Sequence, residues 1–291
     1  MNRTCIILNP AARGERAGQL EVKLRALAPD ADLKRTSASG DARLQAARAV
    51  EEGYRVIVAA GGDGTVNEVV NGIDGAHDRV TLGILPVGTV NVFALELGIP
   101  NSLEKAWEVV RRGRERRIDL ARANGHYFVQ LAGIGFDAQV VEKNDWGMKK
   151  LLGPLSYVLT AAQMMAQKPP RLTVRTETVE HEGAFVLLGN GRYYGGRFSM
   201  FPEADMEDGL LDVCVFEQMN PLALARYLQG VATGTHTKMD DVRYFKAARL
   251  SVTAEETVPV EVDGEMLGHL PCEFGLAQRA LRVLAPERGG G

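Results

Sequence analysis

The chain has 291 residues, of which 45% are hydrophobic and 24% charged, and its formal net charge is −3. This length and composition are typical of a globular protein of about two domains with a sizeable core. The slightly acidic balance gives no support for nucleic-acid binding. The three cysteines and five histidines lack the spacing of a zinc site, so we expect buried free thiols in a reducing cytosol.

The apolar segments are too short to cross a membrane. The N-terminal run Cys5–Leu8 is shorter than the apolar part of a signal peptide. The longest uncharged stretch, Leu151–Ala166, contains several polar residues and is shorter than the ~20 apolar residues that a span needs. We therefore expect no transmembrane helix, although contact with a membrane surface remains open.

The first part of the chain alternates between two kinds of segment. The predicted strands are Thr4–Leu8, Ala31–Thr36, Val56–Ala60 and Val80–Leu85. The predicted helices are Arg16–Leu27, Asp41–Glu52, Thr65–Asn71 and Ser102–Arg111. Alternation of this kind predicts an α/β domain with a parallel sheet, which binds its ligands at the carboxyl ends of the strands.

The turn after the third predicted strand has the composition of a phosphate-binding loop. Gly61-Gly62-Asp63-Gly64-Thr65 follows the apolar run Val56–Ala60 and precedes a helical segment. Glycines let the backbone approach a ligand, and the start of a helix favours an anion. A carboxylate at Asp63 would repel phosphates unless a cation or a hydroxyl lies between them. The motif predicts a nucleotide with magnesium, or a hydroxyl to be phosphorylated; the alternative is an ordinary turn in which Asp63 or Thr65 caps the helix.

Other nucleotide-binding motifs are absent from the sequence. There is no Walker P-loop and no protein-kinase signature. Gly133-Ile134-Gly135-Phe136-Asp137-Ala138 fits the dinucleotide pattern, but no acidic residue occurs between Asp145 and Glu177, where the ribose ligand should lie. The sequence therefore argues against a Rossmann dehydrogenase.

From about Arg117 the chain has a different pattern. Apart from helical segments at Trp146–Gln167 and near Pro221–Gly230, it consists of short strands at close spacing, which predicts an antiparallel sandwich. The predicted strands include Phe128–Leu131, Leu172–Glu177, Ala184–Leu188, Leu211–Phe216, Ala248–Ala254 and Val258–Val262. We place the domain boundary near Arg111–Arg117, with one domain over residues 1–117 and the other over 118–291.

Several motifs, taken together and in order, resemble the bacterial diacylglycerol kinase-like lipid kinases, the YegS-like group that shares a superfamily with sphingosine kinases and NAD kinases. The matching segments are Asn9-Pro10 with Gly14, Thr36 with Gly40-Asp41-Ala42, Gly61 to Glu68, Pro86 to Asn91, Gly133 to Ala138, Asp208 to Asp212, and Val262 to Glu265. The resemblance runs almost from end to end. It implies an α/β nucleotide-binding domain, a larger antiparallel β-sandwich domain, and an active site between them. The final strand, predicted at Arg279–Leu284, is expected to return to the first domain.

The resemblance also implies roles for particular residues. ATP would contact Asn9, Pro10, Gly14, Thr36, Gly61, Gly62, Asp63, Gly64, Thr65, Val66, Asn67 and Thr89. Glu265 matches the family's proton acceptor, and Asp263 would orient it or share its role, with Asp63 as a further catalytic carboxylate. Physical chemistry agrees, because a lipid hydroxyl needs a positioned base. Without the resemblance, the segment from Val262 to Glu265 would read as a strand and a turn.

Two further features bear on metal binding and activity. Asp205-Met206-Glu207-Asp208-Gly209-Leu210 resembles the family's structural magnesium loop, in which the Asp208 carboxylate and the carbonyls of Asp205 and Leu210 would bind the ion; the alternative is a plain turn.

The family commonly has an acidic residue where this chain has Val92. That departure weakens the inference to diacylglycerol and leaves a weakly active enzyme as an alternative.

A lipid substrate implies peripheral contact with the inner face of the membrane by a cytoplasmic protein. Arg111–Arg117 contains five arginines and one glutamate, which would suit either an anionic membrane or a solvated linker. The segment around Lys149-Lys150 would suit a membrane interface, but we favour a core-packing helix. The leading hypothesis is a kinase, dependent on ATP and Mg²⁺, that phosphorylates a lipid hydroxyl. A kinase of a soluble substrate such as NAD, and a nucleotide- or lipid-binding regulator, are the alternatives; a homodimer stays open.

Overall fold

The computed structural model of the protein describes residues 3–11, 17–136, 138 and 169–287. The chain forms two compact units: the first unit is Met1–Leu120 with Ala277–Gly291, and the second unit is Ala121–Leu276. Gly14 and the predicted helix Trp146–Gln167 lie outside the described residues.

The first unit has the predicted alternation of strands and helices. Its strands are β1 (Thr4–Leu8), β2 (Asp32–Arg35), β3 (Val56–Gly61) and β4 (Thr81–Pro86). Its helices are α1 (Ala17–Leu27), α2 (Asp41–Glu51), α3 (Asp63–Gly72), α4 (Val92–Glu96) and α5 (Leu103–Arg112). The strands are parallel in the order β2-β1-β3-β4. The short helix α4 is the one element of this list that the sequence pattern did not predict.

The parallel sheet is the core of the first unit. Every residue of β4 is buried, and β3 is buried from its second residue onward, as expected for strands that are covered on both faces. Helix α2 buries Ala42, Ala46 and Ala49, which are spaced so that they lie on one face of the helix. This packing holds the carboxyl ends of the strands, and the turns that follow them, at one edge of the sheet.

Two strands contribute residues to both units. They are β5 (Arg114–Ala123) and β18 (Cys272–Ala285). The later part of β18 pairs in parallel with β4, and Arg282 lies beside Thr81. The arginines of 111–117 do not form a linker: they lie at the end of α5 and in β5, where Arg114 forms an exposed ion pair with Glu287.

The second unit is an antiparallel β-sandwich. Its strands and helix are β6 (His126–Phe128), β7 (Leu131–Ile134), β8 (Leu172–Arg175), β9 (Glu180–Gly183), β10 (Phe185–Gly189), β11 (Tyr193–Tyr194), β12 (Phe198–Ser199), β13 (Leu211–Phe216), β14 (Val242–Ala247), β15 (Arg249–Ala254), β16 (Pro259–Val262), β17 (Glu265–His269) and α6 (Pro221–Thr233). One sheet has six strands in the order β14-β13-β10-β7-β16-β17, and the other contains the start of β18 with β15, β8 and β9. The two sheets share a core that includes Val186, Leu188, Val213, Val252 and Phe274.

Helix α6 covers the outer face of the six-stranded sheet. Phe185 stacks on Phe216 with ring centroids 4.3 Å apart, and Phe216 lies 4.8 Å from the ring of Tyr227 on α6. The central strands β10 and β13 of this sheet are therefore buried along their whole length, and all their residues except Asp212 of β13 and the glycine that ends β10 are apolar.

The prediction of a single strand over Phe128–Leu131 is wrong. The strand β6 ends at Phe128 and β7 begins at Leu131, because the backbone N–H groups of residues 129–131 donate to the side chain of Asp263 and not to a neighbouring strand.

Among the described residues, no helix is both long enough and apolar enough to span a membrane. Cys5, Cys214 and Cys272 are free and buried, as expected, and burial raises the pKa of the Cys5 thiol to about 11.

Candidate active site

Two glycines where β3 and β4 end, Gly61 and Gly88, have no room for a side chain. A Cβ atom at Gly61 would lie 2.3 Å from Thr65 Oγ1, and one at Gly88 would lie 2.5 Å from the Gly62 Cα atom. Contacts this short exclude any residue but glycine. The turn after β3 is therefore packed directly against the turn after β4.

The start of α3 is suited to bind an anion. Its N-cap residue is Gly62, which has no side chain that could accept a hydrogen bond from the first turn of the helix. The first backbone N–H groups of a helix have no partner inside the helix and carry a partial positive charge. A phosphate group at this position would be bound by those donors.

Asn9 connects the end of β1 to the same turn. Its Nδ2 donates to Thr65 Oγ1 at 3.0 Å, and its Oδ1 accepts from the backbone N–H of Ala11, also at 3.0 Å. The structure thus brings together two of the segments to which the sequence assigned ATP contacts. The side chains of Val66 and Asn67 are 2% and 1% exposed, so they anchor α3 in the fold.

Asp63 is the first residue of α3, but it caps a different helix. Its Oδ1 accepts a hydrogen bond of 3.0 Å from the backbone N–H of Phe93, in the first turn of α4. Asp63 therefore does cap a helix, as one alternative held, but that helix is α4. This bond uses one oxygen of the carboxylate and fixes the turn after β4 relative to α3. Val92, at the position where the resemblance implies an acidic residue, is 8% exposed and packs in the core.

The loop from Gly88 to Asn91 is closed by the Asn91 side chain. Asn91 Oδ1 accepts from the Gly88 N–H and Nδ2 donates to the Gly88 carbonyl, both at 3.0 Å. Asn91 has a φ of 57°, in the left-handed region that asparagine tolerates better than most residues. Thr89 is exposed at the tip of this loop, where its hydroxyl can meet a ligand.

Glu68 of α3 caps the start of α2. Its two carboxylate oxygens accept hydrogen bonds of 2.9 Å from the backbone N–H groups of Gly40 and Ala42. Thr36, at the end of β2, is buried and its N–H donates to the Leu8 carbonyl at 2.9 Å. The turn after β2 is therefore held by the same helix that begins at the glycine turn. This role of Glu68 could not be predicted from the sequence, because a cap that joins residues 26 to 28 positions apart leaves no local pattern.

In the second unit, Asp263 and Glu265 lie at the tip of the β16–β17 hairpin. Asp263 has a φ of 49°, and its carboxylate accepts hydrogen bonds from three backbone N–H groups, those of Val129, Gln130 and Leu131, at 2.8, 2.9 and 3.1 Å. Glu265 is exposed at the start of β17. The two carboxylates are thus in different environments: Asp263 holds a loop in place, whereas Glu265 faces solvent.

The loop Asp205–Leu210 is a series of turns held by its own carboxylates. Asp205 Oδ1 accepts from the Glu207 N–H at 3.0 Å, and Asp208 Oδ1 accepts from the Leu210 N–H at 2.9 Å. The carbonyl of Asp205 accepts from the Asp208 N–H at 3.2 Å. Two of the three predicted magnesium ligands are therefore already engaged in hydrogen bonds within the loop.

Lys246 on β14 contacts this loop. Its Nζ donates to Asp208 Oδ2 and to the Glu203 carbonyl, both at 2.7 Å, and lies 3.6 Å from Asp212 Oδ2. Burial raises the pKa of Asp212 to about 6, against the opposite effects of a hydrogen bond from Tyr244 and the charge of Lys246. The described residues contain no group of three or more acidic, histidine or cysteine side chains able to hold a metal. Asp208 Oδ2, the carboxylate oxygen not bound to the Leu210 N–H, accepts a hydrogen bond from the Lys246 ammonium group, which would compete with a divalent cation for that oxygen.

The comparisons with known proteins match both units. The model of the diacylglycerol kinase catalytic domain matches residues 3–123, and that of the YegS C-terminal NAD kinase beta sandwich-like domain matches residues 130–285. The chain belongs to the diacylglycerol kinase-like, or YegS-like, family. It is an enzyme of the lipid kinase class, and kinase chemistry implies the use of ATP. The predicted family and fold class are confirmed.

Relatives of this family are similar over nearly their whole length. Proteins named diacylglycerol kinase from Staphylococcus saprophyticus and Staphylococcus aureus are each 33% identical over 98% of this chain, which corresponds to 95% and 92% of those proteins. The crystal structure of a diacylglycerol kinase from Bacillus anthracis has a TM-score of 0.81 at 28% identity, covering 98% of this chain and 97% of that one.

Proposed function

We propose that this lipid kinase transfers the γ-phosphate of ATP, with Mg²⁺, to a hydroxyl group of a membrane lipid such as diacylglycerol. The observation that supports this most strongly is the glycine-only contact between the turns after β3 and β4, beside the uncapped start of α3. The name of the two staphylococcal relatives supports a glycerolipid with one free hydroxyl as the substrate.

The first unit would bind the nucleotide. The backbone N–H groups at the start of α3 would bind phosphate oxygens, and Asn9 and Thr65 would hold this turn in shape through their 3.0 Å hydrogen bond. Asp63 has one oxygen bound to the Phe93 N–H, and its other oxygen is a hard ligand that fits magnesium. When bound with ATP, magnesium neutralises charge on the phosphates.

Glu265 would accept the proton of the lipid hydroxyl. In the transfer, the lipid oxygen forms a bond to the γ-phosphorus, the bond from that phosphorus to the β–γ bridging oxygen breaks, and the hydroxyl proton moves to the Glu265 carboxylate. Asp263 is less suited to this role, because both of its oxygens accept backbone hydrogen bonds. It would instead position the hairpin that carries Glu265.

A lipid substrate requires a peripheral contact with the membrane, and we propose the inner face for a cytoplasmic enzyme. The exposed arginines at the end of α5 and the start of β5, including Arg111 and Arg114, are candidates for that contact. A homodimer remains a second proposal that a light-scattering measurement of mass would test.

The direct test is transfer of radiolabel from ATP to lipid in mixed micelles. We expect label in phosphorylated diacylglycerol, with none when magnesium is removed by a chelator. Total membrane lipid extract in parallel would reveal another lipid acceptor, and NAD would reveal a soluble one. Label on NAD alone, or no label with any acceptor, would contradict the proposal; the second result would favour a nucleotide- or lipid-binding regulator.

Replacing Glu265 with glutamine tests the proton acceptor. Glu265→Gln should lower kcat by about 10²–10⁴-fold, the usual contribution of a general base, and leave the affinity for ATP unchanged. Glu256→Gln, at another exposed glutamate of the second unit, is the matched control and should keep full activity.

The alternative assignment makes Asp263 the acceptor, and the pH dependence of the rate distinguishes the two. The variant of the true acceptor should lose the limb on which the rate rises with pH, and the other variant should retain that limb at reduced height. Wild-type turnover in both Glu265→Gln and Asp263→Asn would refute a catalytic role for this hairpin.

A further inference from the structure

The negative charges of Asp208 and Asp212, at the loop Asp205–Leu210, are paired with the positive charge of Lys246. The ammonium group of Lys246 donates to Asp208 Oδ2 and to the Glu203 carbonyl, both at 2.7 Å, and its Nζ lies 3.6 Å from Asp212 Oδ2, within ion-pair distance. We propose that Lys246 is the structural cation of this loop, so that the loop folds without the divalent ion that its resemblance to a magnesium loop implies.

The ammonium group and a divalent ion would compete for the same oxygen. Asp208 Oδ1 accepts from the Leu210 N–H at 2.9 Å, which leaves Oδ2 as the oxygen that could face an ion. That oxygen is the one held by Lys246. An ion bound there would lie next to a positive charge in a partly buried place, since the side chains of Lys246 and Asp208 are only 24% and 26% exposed. Electrostatic repulsion at such a short distance is strong and is poorly screened by solvent.

The ammonium group of a lysine fits the position between Asp208, Asp212 and the Glu203 carbonyl. Two of the three N–H donors of the ammonium group are used by Asp208 Oδ2 and the Glu203 carbonyl, and Asp212 Oδ2 forms an ion pair with it at 3.6 Å. Asp212 is fully buried and needs an opposite charge nearby, because a buried charge without a partner is costly. The antiparallel pairing of β13 with β14 sets Lys246 beside Asp212, and this register brings the side chain to the loop.

This arrangement links the loop to the sheet in a way that a metal would not. Lys246 is part of β14, and its contacts tie the segment from Glu203 to Asp208 to the edge of the six-stranded sheet. The position of the loop then depends on the side chain and not on the concentration of free magnesium. Any magnesium requirement of the enzyme would come from the nucleotide alone.

Thermal unfolding without nucleotide tests this proposal and requires no kinase activity, so its outcome is separate from that of the proposed function. The Tm of the full chain is measured in excess Mg²⁺ and in EDTA, for the wild type and for Asp208→Asn. The difference between the two proteins in the magnesium-induced rise of Tm is the part that comes from the loop. We expect that part to be zero for the wild type. Binding of Mn²⁺, followed by electron paramagnetic resonance, should likewise not depend on Asp208.

Removing the ammonium group tests its contribution directly. Lys246→Met should lower Tm in EDTA by roughly 4–8 °C, because it leaves two carboxylates without a cation, and Lys246→Arg should retain most of the wild-type Tm. The matched control is Arg243→Met, which breaks an exposed ion pair with Glu217 on the same strand and should change Tm by less than about 2 °C.

Two results would overturn the proposal. One is a rise in the Tm of the wild type with magnesium, or a bound Mn²⁺ signal, that disappears in Asp208→Asn. The other is a Lys246→Met variant that unfolds at the wild-type temperature. The Mn²⁺ measurement on the wild type and on Asp208→Asn decides the question even if Lys246→Met does not fold.

Discussion

The contribution of Asp263 to stability can be estimated from its three backbone contacts. Its carboxylate accepts hydrogen bonds of 2.8–3.1 Å from the N–H groups of residues 129–131. A bond to a charged acceptor contributes about 1.5–3 kcal/mol, and a neutral bond about 0.5–1.5 kcal/mol. In Asp263→Asn, the amide oxygen can still accept two of the three bonds, but its NH₂ group would face the N–H of Val129. Since Asp263 is only partly buried, we expect the free energy of unfolding to fall by about 2–4 kcal/mol.

Asparagine is the appropriate replacement because it tolerates the left-handed conformation, so the change reports on the hydrogen bonds and not on the backbone. The measurement is urea unfolding followed by circular dichroism, with the midpoint expected to fall at an unchanged slope. Asp240→Asn, at an exposed aspartate of the same unit, is the matched control. If Asp263→Asn and the control have the same stability, within about 0.5 kcal/mol, the three contacts do not stabilise the fold and our reasoning is refuted.

Three further predictions concern the first unit. Gly88→Ala should destabilise the protein by about 1–3 kcal/mol and weaken ATP binding, because its Cβ would lie 2.5 Å from Gly62; Gly18→Ala, where a Cβ meets nothing, is the control, and equal ATP affinity in both would argue against the predicted nucleotide site. Glu68→Gln should cost about 0.5–2 kcal/mol of unfolding free energy, since it weakens the cap of α2; an unchanged urea midpoint would show that the cap contributes nothing. The Cys5 thiol, whose pKa burial raises to about 11, should react with a disulfide reagent at pH 8 roughly 10²-fold more slowly in the folded than in the unfolded protein; equal rates would show that it is accessible.

Local sequence patterns were sufficient for the architecture of the first unit. The four parallel strands and the helices α1, α2, α3 and α5 begin and end within two residues of their predicted positions. The reason is that a buried parallel strand and an amphipathic helix each have a hydrophobic period that spans only a few residues. The short helix α4 has too few residues to show such a period, and Asp63, from a different turn, caps it.

Local patterns also could not predict the break between β6 and β7 in the second unit, where a single strand was expected. The segment Phe128–Leu131, apolar except for Gln130, has the composition of one strand. The strand is interrupted because the backbone N–H groups of residues 129–131 donate to Asp263, more than 130 residues later in the chain. Nothing in the sequence of this segment indicates that its N–H groups bind a distant side chain and not a neighbouring strand.

Local residue patterns predicted the two fold classes and the glycine turn, and the resemblance to the lipid kinases predicted the segments that would bind ATP and accept the proton. Which groups the charged side chains contact became known only from the folded chain. Glu68 reaches the start of α2, Asp263 closes the loop before β7, and Lys246 meets Asp208 across 38 residues of chain. Each of these contacts joins a charged side chain to a partner brought close by helix packing or strand register. Hydrophobic period and turn composition depend on residues that are neighbours along the chain. The partner of a charged side chain depends on how distant elements pack, and for that reason only the folded structure identifies that partner.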